Sequence, residues 1–176
     1  MTILVYDYVG INHQVLLRAE GEADQIIRHA GAEVVWRHCD TAAASAGPEC
    51  SDLGPSTATL RLVSHFRLIP DHFRVDTMGF LIGNMMTVSW KQAENLSQSG
   101  AGPLSQILGV TIAHEFGHLL LGNSHSVSGI MRARLGRGDW ELAQHRWLVF
   151  HPSEAAALRK ELRTRSETVL PVSNAP

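Results

Sequence analysis

The residues with the clearest chemical meaning are two histidines with a glutamate beside the first. In the run His114-Glu115-Phe116-Gly117-His118, two imidazoles stand four residues apart. On a helix such side chains share one face about one turn apart, so both rings can bind one zinc ion. Glu115 lies about 100° around the helix from its neighbour, which suits a carboxylate that takes a proton from water. The pattern predicts a hydrolytic zinc site with Glu115 as the general base.

A catalytic zinc site has three protein ligands and one open position, so one more ligand is needed. His125 is the preferred candidate, because Gly122 lets the chain leave the helix sharply and the histidine follows three residues later. Glu141 is the alternative, since gluzincin-like zinc peptidases take a downstream glutamate from a second helix. The glycine favours His125 and leaves Glu141 as the rival third ligand.

The first part of the chain predicts strands and a helix on which such a site could be built. Residues 3–9 are apolar and β-branched, which is typical of a strand. Asn12 can cap a helix whose apolar residues recur at helical spacing up to Gly31. Residues 33–37 predict a second strand, so the order indicates a right-handed parallel crossover.

Two further strand patterns precede the histidines. Residues 59–68 alternate apolar and polar side chains and predict a third strand. Residues 78–90 contain another strand pattern, interrupted at 83–84. Residues 91–102 are polar and contain two glycines, so they predict a loop.

The histidines themselves fall late in a predicted helix. Pro103 can open that helix, and the pair at 122–123 can end it. A turn-rich segment at 124–138 follows, then a short helix at 139–145 and a last helix at 153–165. This order of elements predicts an α+β domain.

Two segments resemble the metzincin clan of zinc metalloendopeptidases. They are residues 114–125 and the Ser-Gly-Ile-Met run at 128–131. The clan pattern is H-E-x-x-H-x-x-G-x-x-H, followed by a methionine turn. The resemblance implies zinc ligands His114, His118 and His125, the general base Glu115, and Met131 beneath the metal.

The chain departs from the clan pattern at one point. Three residues, rather than two, separate His118 from Gly122. An extra helical residue turns the exit by about 100°. We therefore expect a tightened or bulged last turn if His125 is to bind the metal.

The resemblance also implies the wider architecture. It predicts a metzincin-like fold with a twisted mixed sheet, an edge strand, a long helix and an active-site helix, followed by a small, mostly helical C-terminal lobe. The single catalytic domain would span 1–165, with an N-terminal lobe at 1–122 and a C-terminal lobe at 123–165. Residues 166–176 are expected to form a flexible tail.

The resemblance places the substrate beside the edge strand. Residues 83–90 are predicted to form that strand, and an extended peptide would add antiparallel to it through Met85, Met86 and Thr87. The alternative is that the two methionines fill gaps in the core.

Composition and charge limit the classes of partner. The 176 residues fit one compact domain, and a net charge of −2 gives no case for a nucleic acid or an anionic membrane. No apolar run reaches the roughly 18 residues that span a bilayer. The chain as given starts without a signal-peptide pattern, so it stays inside the cell or has lost a leader. We expect a monomer that acts on a peptide or protein substrate.

The two cysteines leave their redox state open. Cys39 directly precedes a loop predicted over residues 40–58, which is rich in Ala, Ser, Gly and Pro, and Cys50 lies within that loop. They can form one disulfide, which implies an oxidising compartment, or remain reduced and partly buried.

Taken from the sequence, the expected function is peptide-bond hydrolysis by a zinc-dependent metalloendopeptidase with one catalytic Zn²⁺ ion. Two alternatives stay open. The domain could bind zinc without catalysing a reaction, or it could hydrolyse an amide that is not a peptide.

Overall fold

A computed structural model describes residues 1–41, 50–51, 54–66 and 77–168. Within these residues the chain is an α+β arrangement of one mixed five-stranded sheet and five helices, which confirms the predicted class. The predicted loop at 40–58 and tail at 166–176 fall largely outside the described residues.

The elements follow one another in this order: β1 (Thr2–Asp7), α1 (His13–His29), β2 (Val35–Cys39), β3 (Thr57–Val63), β4 (Gly79–Ile82), β5 (Met85–Ser89), α2 (Trp90–Gln98), α3 (Leu104–Leu121), α4 (Arg137–Gln144) and α5 (Pro152–Glu167). Two of the helices begin where the sequence predicts: the side chain of Asn12 caps α1, and Pro103 precedes α3.

The sheet has the strand order β2-β1-β3-β5-β4. Strand β1 is parallel to both β2 and β3, and β3 is parallel to β5. Only β4 runs against its neighbour. The parallel pairing of β1 and β2 across α1 agrees with the predicted crossover, since parallel strands need a long connection.

The structure corrects the prediction of the edge strand. Strand β5 lies between β3 and β4, so Met85, Met86 and Thr87 are not at an edge. The reason is a two-residue turn at Gly83 and Asn84, which folds the segment into a hairpin with Ile82 opposite Met85. Among the described residues, the edge strand at this end of the sheet is therefore β4. The alternative interpretation is confirmed for Met86, which is fully buried in the core, but not for Met85, which is half-buried.

The predicted loop at 91–102 is also wrong in part, because α2 occupies its first two thirds. The side chain of Ser89 caps this helix by accepting a hydrogen bond from the Gln92 backbone N–H at 3.4 Å. Ala93 is buried on its inner face. A mostly polar composition concealed a short helix that docks through its cap and a few apolar side chains packed against the core.

Helix α3 runs through the centre of the molecule. Fourteen of its 18 residues are buried, and it packs closely against α1. A β-carbon at Gly109 would lie 2.6 Å from the Ala19 carbonyl oxygen of α1, so glycine permits this close approach. Because α3 is packed on nearly every side, side chains near its end stand on a rigid element.

Two further features complete the fold. Cys39 and Cys50 form a disulfide with a Cα–Cα distance of 5.9 Å. No helix among the described residues combines the length and apolar character needed to cross a bilayer.

Candidate metal centre

The last two turns of α3 bring two imidazoles together. The ring centroids of His114 and His118 are 4.6 Å apart, and the rings are nearly perpendicular. The backbone N–H of Gly122 donates to the His118 carbonyl at 3.0 Å, which is an α-helical hydrogen bond. The predicted tightening or bulge is therefore wrong: the added residue simply extends the helix to Leu121.

A glycine then returns the chain to the histidines. Gly122 has φ +79° and ψ −168°, a conformation that side chains rarely adopt. Three residues later the ring of His125 lies 4.7 Å from that of His118 and 5.6 Å from that of His114. One nitrogen from each ring falls within 4.8 Å of the others, so the three could hold one metal ion.

Backbone carbonyls fix the orientation of the two helical rings. Nδ1 of His114 donates to the carbonyl oxygen of Ile130 at 2.8 Å, and Nδ1 of His118 donates to that of Gly122 at 2.9 Å. Because a carbonyl only accepts, each Nδ1 carries the hydrogen and each neutral ring keeps an unprotonated Nε2. Metal-binding histidines are held in this way by a hydrogen bond from the opposite nitrogen.

The run at 128–131 forms a turn beneath the histidine helix. Met131 is fully buried, and a β-carbon at Gly117 would overlap its Sδ atom and lie 2.8 Å from Phe150 Cε1. The missing side chain at Gly117 thus lets Met131 pack directly on the turn of α3 that carries His118. The next residue back, Ile130, supplies the carbonyl that orients His114.

Helix α5 anchors the loop that carries His125. The carboxylate of Glu154 accepts a hydrogen bond from Ser126 Oγ and another from the His151 backbone N–H at 2.7 Å. The ring of His151 also contacts Ser128 Oγ at 2.8 Å. The start of α5 therefore fixes the loop directly after the third histidine.

Glu115 follows His114 in α3, and its side chain lies in the core. It is only 3% exposed, and its Oε2 atom has no hydrogen-bond partner within the described structure. Burial raises the pKa of this carboxyl to about 8. The carboxyl packs on Gly79, the first residue of β4, where a β-carbon would lie 2.7 Å from Oε1.

Burial has the opposite effect on two of the rings. It lowers the pKa of His114 to about 4, and His118 and His125 add to this effect, against the hydrogen bond to Ile130. Burial and the neighbouring His118 lower the pKa of His125 as well. Both rings are therefore neutral near pH 7, and neutral imidazole is the form that binds metals.

The structure does not bring Glu141 to the triad. Its carboxylate pairs with Arg137 Nε at 3.0 Å, and its side chain is 60% exposed. It lies outside the group of histidines that could hold an ion.

Three supporting residues had no interpretation in the sequence analysis. Gly79 fell within the strand pattern at 78–90 without being singled out, and Gly117 was named only as part of the histidine motif. Glu154 could have been found as the third residue of a helix that begins with proline, a position that caps helix starts. Its hydrogen bond with Ser126 could not have been found in the sequence, because the two residues are 28 positions apart.

Comparison with models of protein families and with curated proteins found no match to this chain.

Proposed function

We propose that the chain is a zinc-dependent metalloendopeptidase of the metzincin type. The observation that carries the proposal is the convergence of His114, His118 and His125, with the Nδ1 atoms of the two helical rings tied to carbonyls. This arrangement leaves one nitrogen of each ring within 4.8 Å of the others, and three histidines are a donor set that suits catalytic zinc.

A second observation supports a cation at this point. Glu115 is buried, it follows the first histidine in the chain, and its Oε2 atom has no hydrogen-bond partner among the described residues. A buried carboxylate without a hydrogen bond or an opposite charge is strongly destabilised. A divalent ion among the rings would favour the ionised carboxylate, since an opposite charge nearby lowers its pKa. When bound, zinc would act as a Lewis acid toward a carbonyl and acidify water.

Glu115 would then perform the proton transfers of hydrolysis. Its carboxylate accepts a proton from the attacking water and passes it to the amine that leaves. The carboxyl is held for this task by the buried helix α3 on one side and by β4 on the other.

The open edge of β4 would receive the peptide. Within the described structure β4 pairs only with β5, and the backbone N–H of Ser89 donates to the Met78 carbonyl at 2.9 Å. Backbone groups alternate in direction along an antiparallel strand. Those of Gly79 and Leu81 therefore point outward, where an extended peptide can pair with them antiparallel, as the metzincin resemblance implies.

The proposal can be tested with two glutamate variants. Glu115→Gln keeps the size of the side chain but cannot accept a proton. We expect it to retain one zinc ion per chain and to lose cleavage of casein and of a peptide library by at least about 10²-fold. Glu141→Gln is the matched control, since Glu141 is exposed and lies outside the triad, and it should cleave like the wild type.

Metal removal gives the second arm of the test. A chelator should abolish cleavage by the wild type, and added zinc should restore it. If Glu115→Gln cleaved as fast as the wild type, Glu115 would not be the general base. Stoichiometric zinc without cleavage of any peptide would instead favour a non-catalytic zinc domain.

A further inference from the structure

We propose that Gly79 is a positioning residue: because it has no side chain, the Glu115 carboxylate can lie directly against the strand that would receive the substrate. The catalytic part of this inference rests on the proposed function. The steric part concerns the folded chain alone and can be tested without any activity.

Space, rather than backbone conformation, demands glycine at this position. Gly79 is absent from the residues with a positive φ, so any residue could adopt its backbone. A β-carbon there would lie 2.7 Å from Oε1, 2.9 Å from Cγ and 3.0 Å from Cδ of Glu115. By contrast, Gly83 in the same hairpin has φ +58° and nothing within 4 Å of a β-carbon, so its glycine serves the turn.

The carboxylate has little freedom to yield. Glu115 is 3% exposed and stands on the buried helix α3. An ordinary contact of 3.4 Å with a new β-carbon would require Oε1 to retreat by about 0.7 Å. A displacement near 1 Å at a reacting group can lower a rate about a hundredfold.

Gly79 also faces the substrate in the proposed arrangement. Its backbone N–H and C=O point away from β5, to the edge of β4 that has no partner strand within the described residues, while the position of its missing side chain faces α3. A peptide paired with Gly79 would thus be held at a distance from Glu115 that this one residue determines. Gly79 would therefore do two things: its backbone would bind the peptide, and its lack of a side chain would set the position of the base.

A double-mutant cycle tests the steric part. Gly79→Ala should raise the equilibrium constant for unfolding about tenfold in the wild-type background. In a Glu115→Ala background the three contacting atoms are gone, so the same substitution should change that constant less than threefold. Urea titration of all four metal-free proteins gives both values. If the single variant Gly79→Ala folds poorly, recovery of a folded protein in the Glu115→Ala background still shows that the overlap with Glu115 was the cause.

Kinetics on the zinc-loaded proteins test the catalytic part. Gly79→Ala should lower kcat about a hundredfold, with KM and the zinc Kd within about threefold of the wild type. Loss of fold alone would lower the active fraction and the bound zinc together. The inference would be overturned if Gly79→Ala changed the unfolding constant equally in the two backgrounds, or if its kcat equalled that of the wild type. If the cycle shows coupling between Gly79 and Glu115 but the wild type does not cleave peptides, the steric part of the inference stands. The proposed function and the catalytic role of Gly79 are then both contradicted.

Discussion

Substitution of Gly117 by alanine sets two opposing effects against each other. Alanine in a helix interior is favoured over glycine by about 1 kcal/mol. Against this, the new β-carbon would overlap Met131 Sδ and approach Phe150 Cε1 to 2.8 Å. Both neighbours are buried, with 1% and 4% of their surface exposed, so neither can move into solvent.

The steric effect should exceed the gain in helix propensity. Overpacking a filled core costs about 1–3 kcal/mol. The flexible Met131 side chain can absorb part of the strain, but the Phe150 ring cannot retreat as easily. We expect Gly117→Ala to lower the free energy of unfolding by about 1 kcal/mol net.

The same substitution should weaken metal binding, although it changes no proposed ligand. Moving Met131 displaces the adjacent Ile130 carbonyl, which orients His114. Loss of such a supporting hydrogen bond raises a metal Kd about 10- to 100-fold. Urea unfolding of the metal-free protein and zinc competition against a fluorescent chelator measure the two effects.

Gly21→Ala is the matched control for this experiment. Gly21 is also a helical glycine, and a β-carbon there meets nothing within 4 Å. That variant should gain about 0.5–1 kcal/mol of stability with an unchanged zinc Kd. If Gly117→Ala behaves like Gly21→Ala in both assays, the turn does not pack beneath the histidine helix and the reasoning fails.

Other substitutions test the third ligand, the α5 anchor and the disulfide. His125→Ala should raise the zinc Kd more than about 100-fold in a chelator competition, which exceeds the effect of losing a hydrogen bond to a ligand. An effect of Glu141→Ala instead would contradict the histidine triad. Glu154→Gln should raise the zinc Kd about tenfold; calorimetry that finds no change would mean that α5 does not hold the loop. Replacing Cys39 and Cys50 by serine should lower the free energy of unfolding by about 3 kcal/mol for a sequence separation of 11. Thermal denaturation measures this loss, and a fall in zinc affinity would be unexpected because β2 lies at the opposite side of the sheet from β4.

The histidine cluster was predictable because its information is local. His114 and His118 are one helical turn apart in any helix, and Gly122 marks the end of that helix in both sequence and structure. The position of His125 required one non-local assumption, that the chain folds back after the glycine. The structure brings its ring to the other two.

The edge of the sheet was not predictable from the same kind of signal. The pattern at 78–90 indicates extended backbone, but strand order depends on which partners pair, and nothing in a single strand encodes that. The Gly83-Asn84 pair was noticed only as an interruption. As a two-residue turn it reverses the chain and makes β4, not β5, the edge strand.

Contacts between distant residues were beyond sequence reasoning as well. Gly79 and Glu115 meet only because α3 packs under the hairpin, and Glu154 reaches Ser126 only because α5 returns to the loop. Such pairs carry no spacing rule. Their signals were a glycine without a turn and a glutamate at a helix start.

The most direct test of the account is the ligand set of bound zinc. Crystals of the zinc-loaded protein, with anomalous diffraction recorded at the zinc edge, would locate the ion and its ligands. We predict one ion per chain with nitrogen atoms of His114, His118 and His125 at about 2.0–2.1 Å and one position left to solvent. An ion bound elsewhere, a fourth protein ligand that closes the site, or no stoichiometric ion would contradict the account.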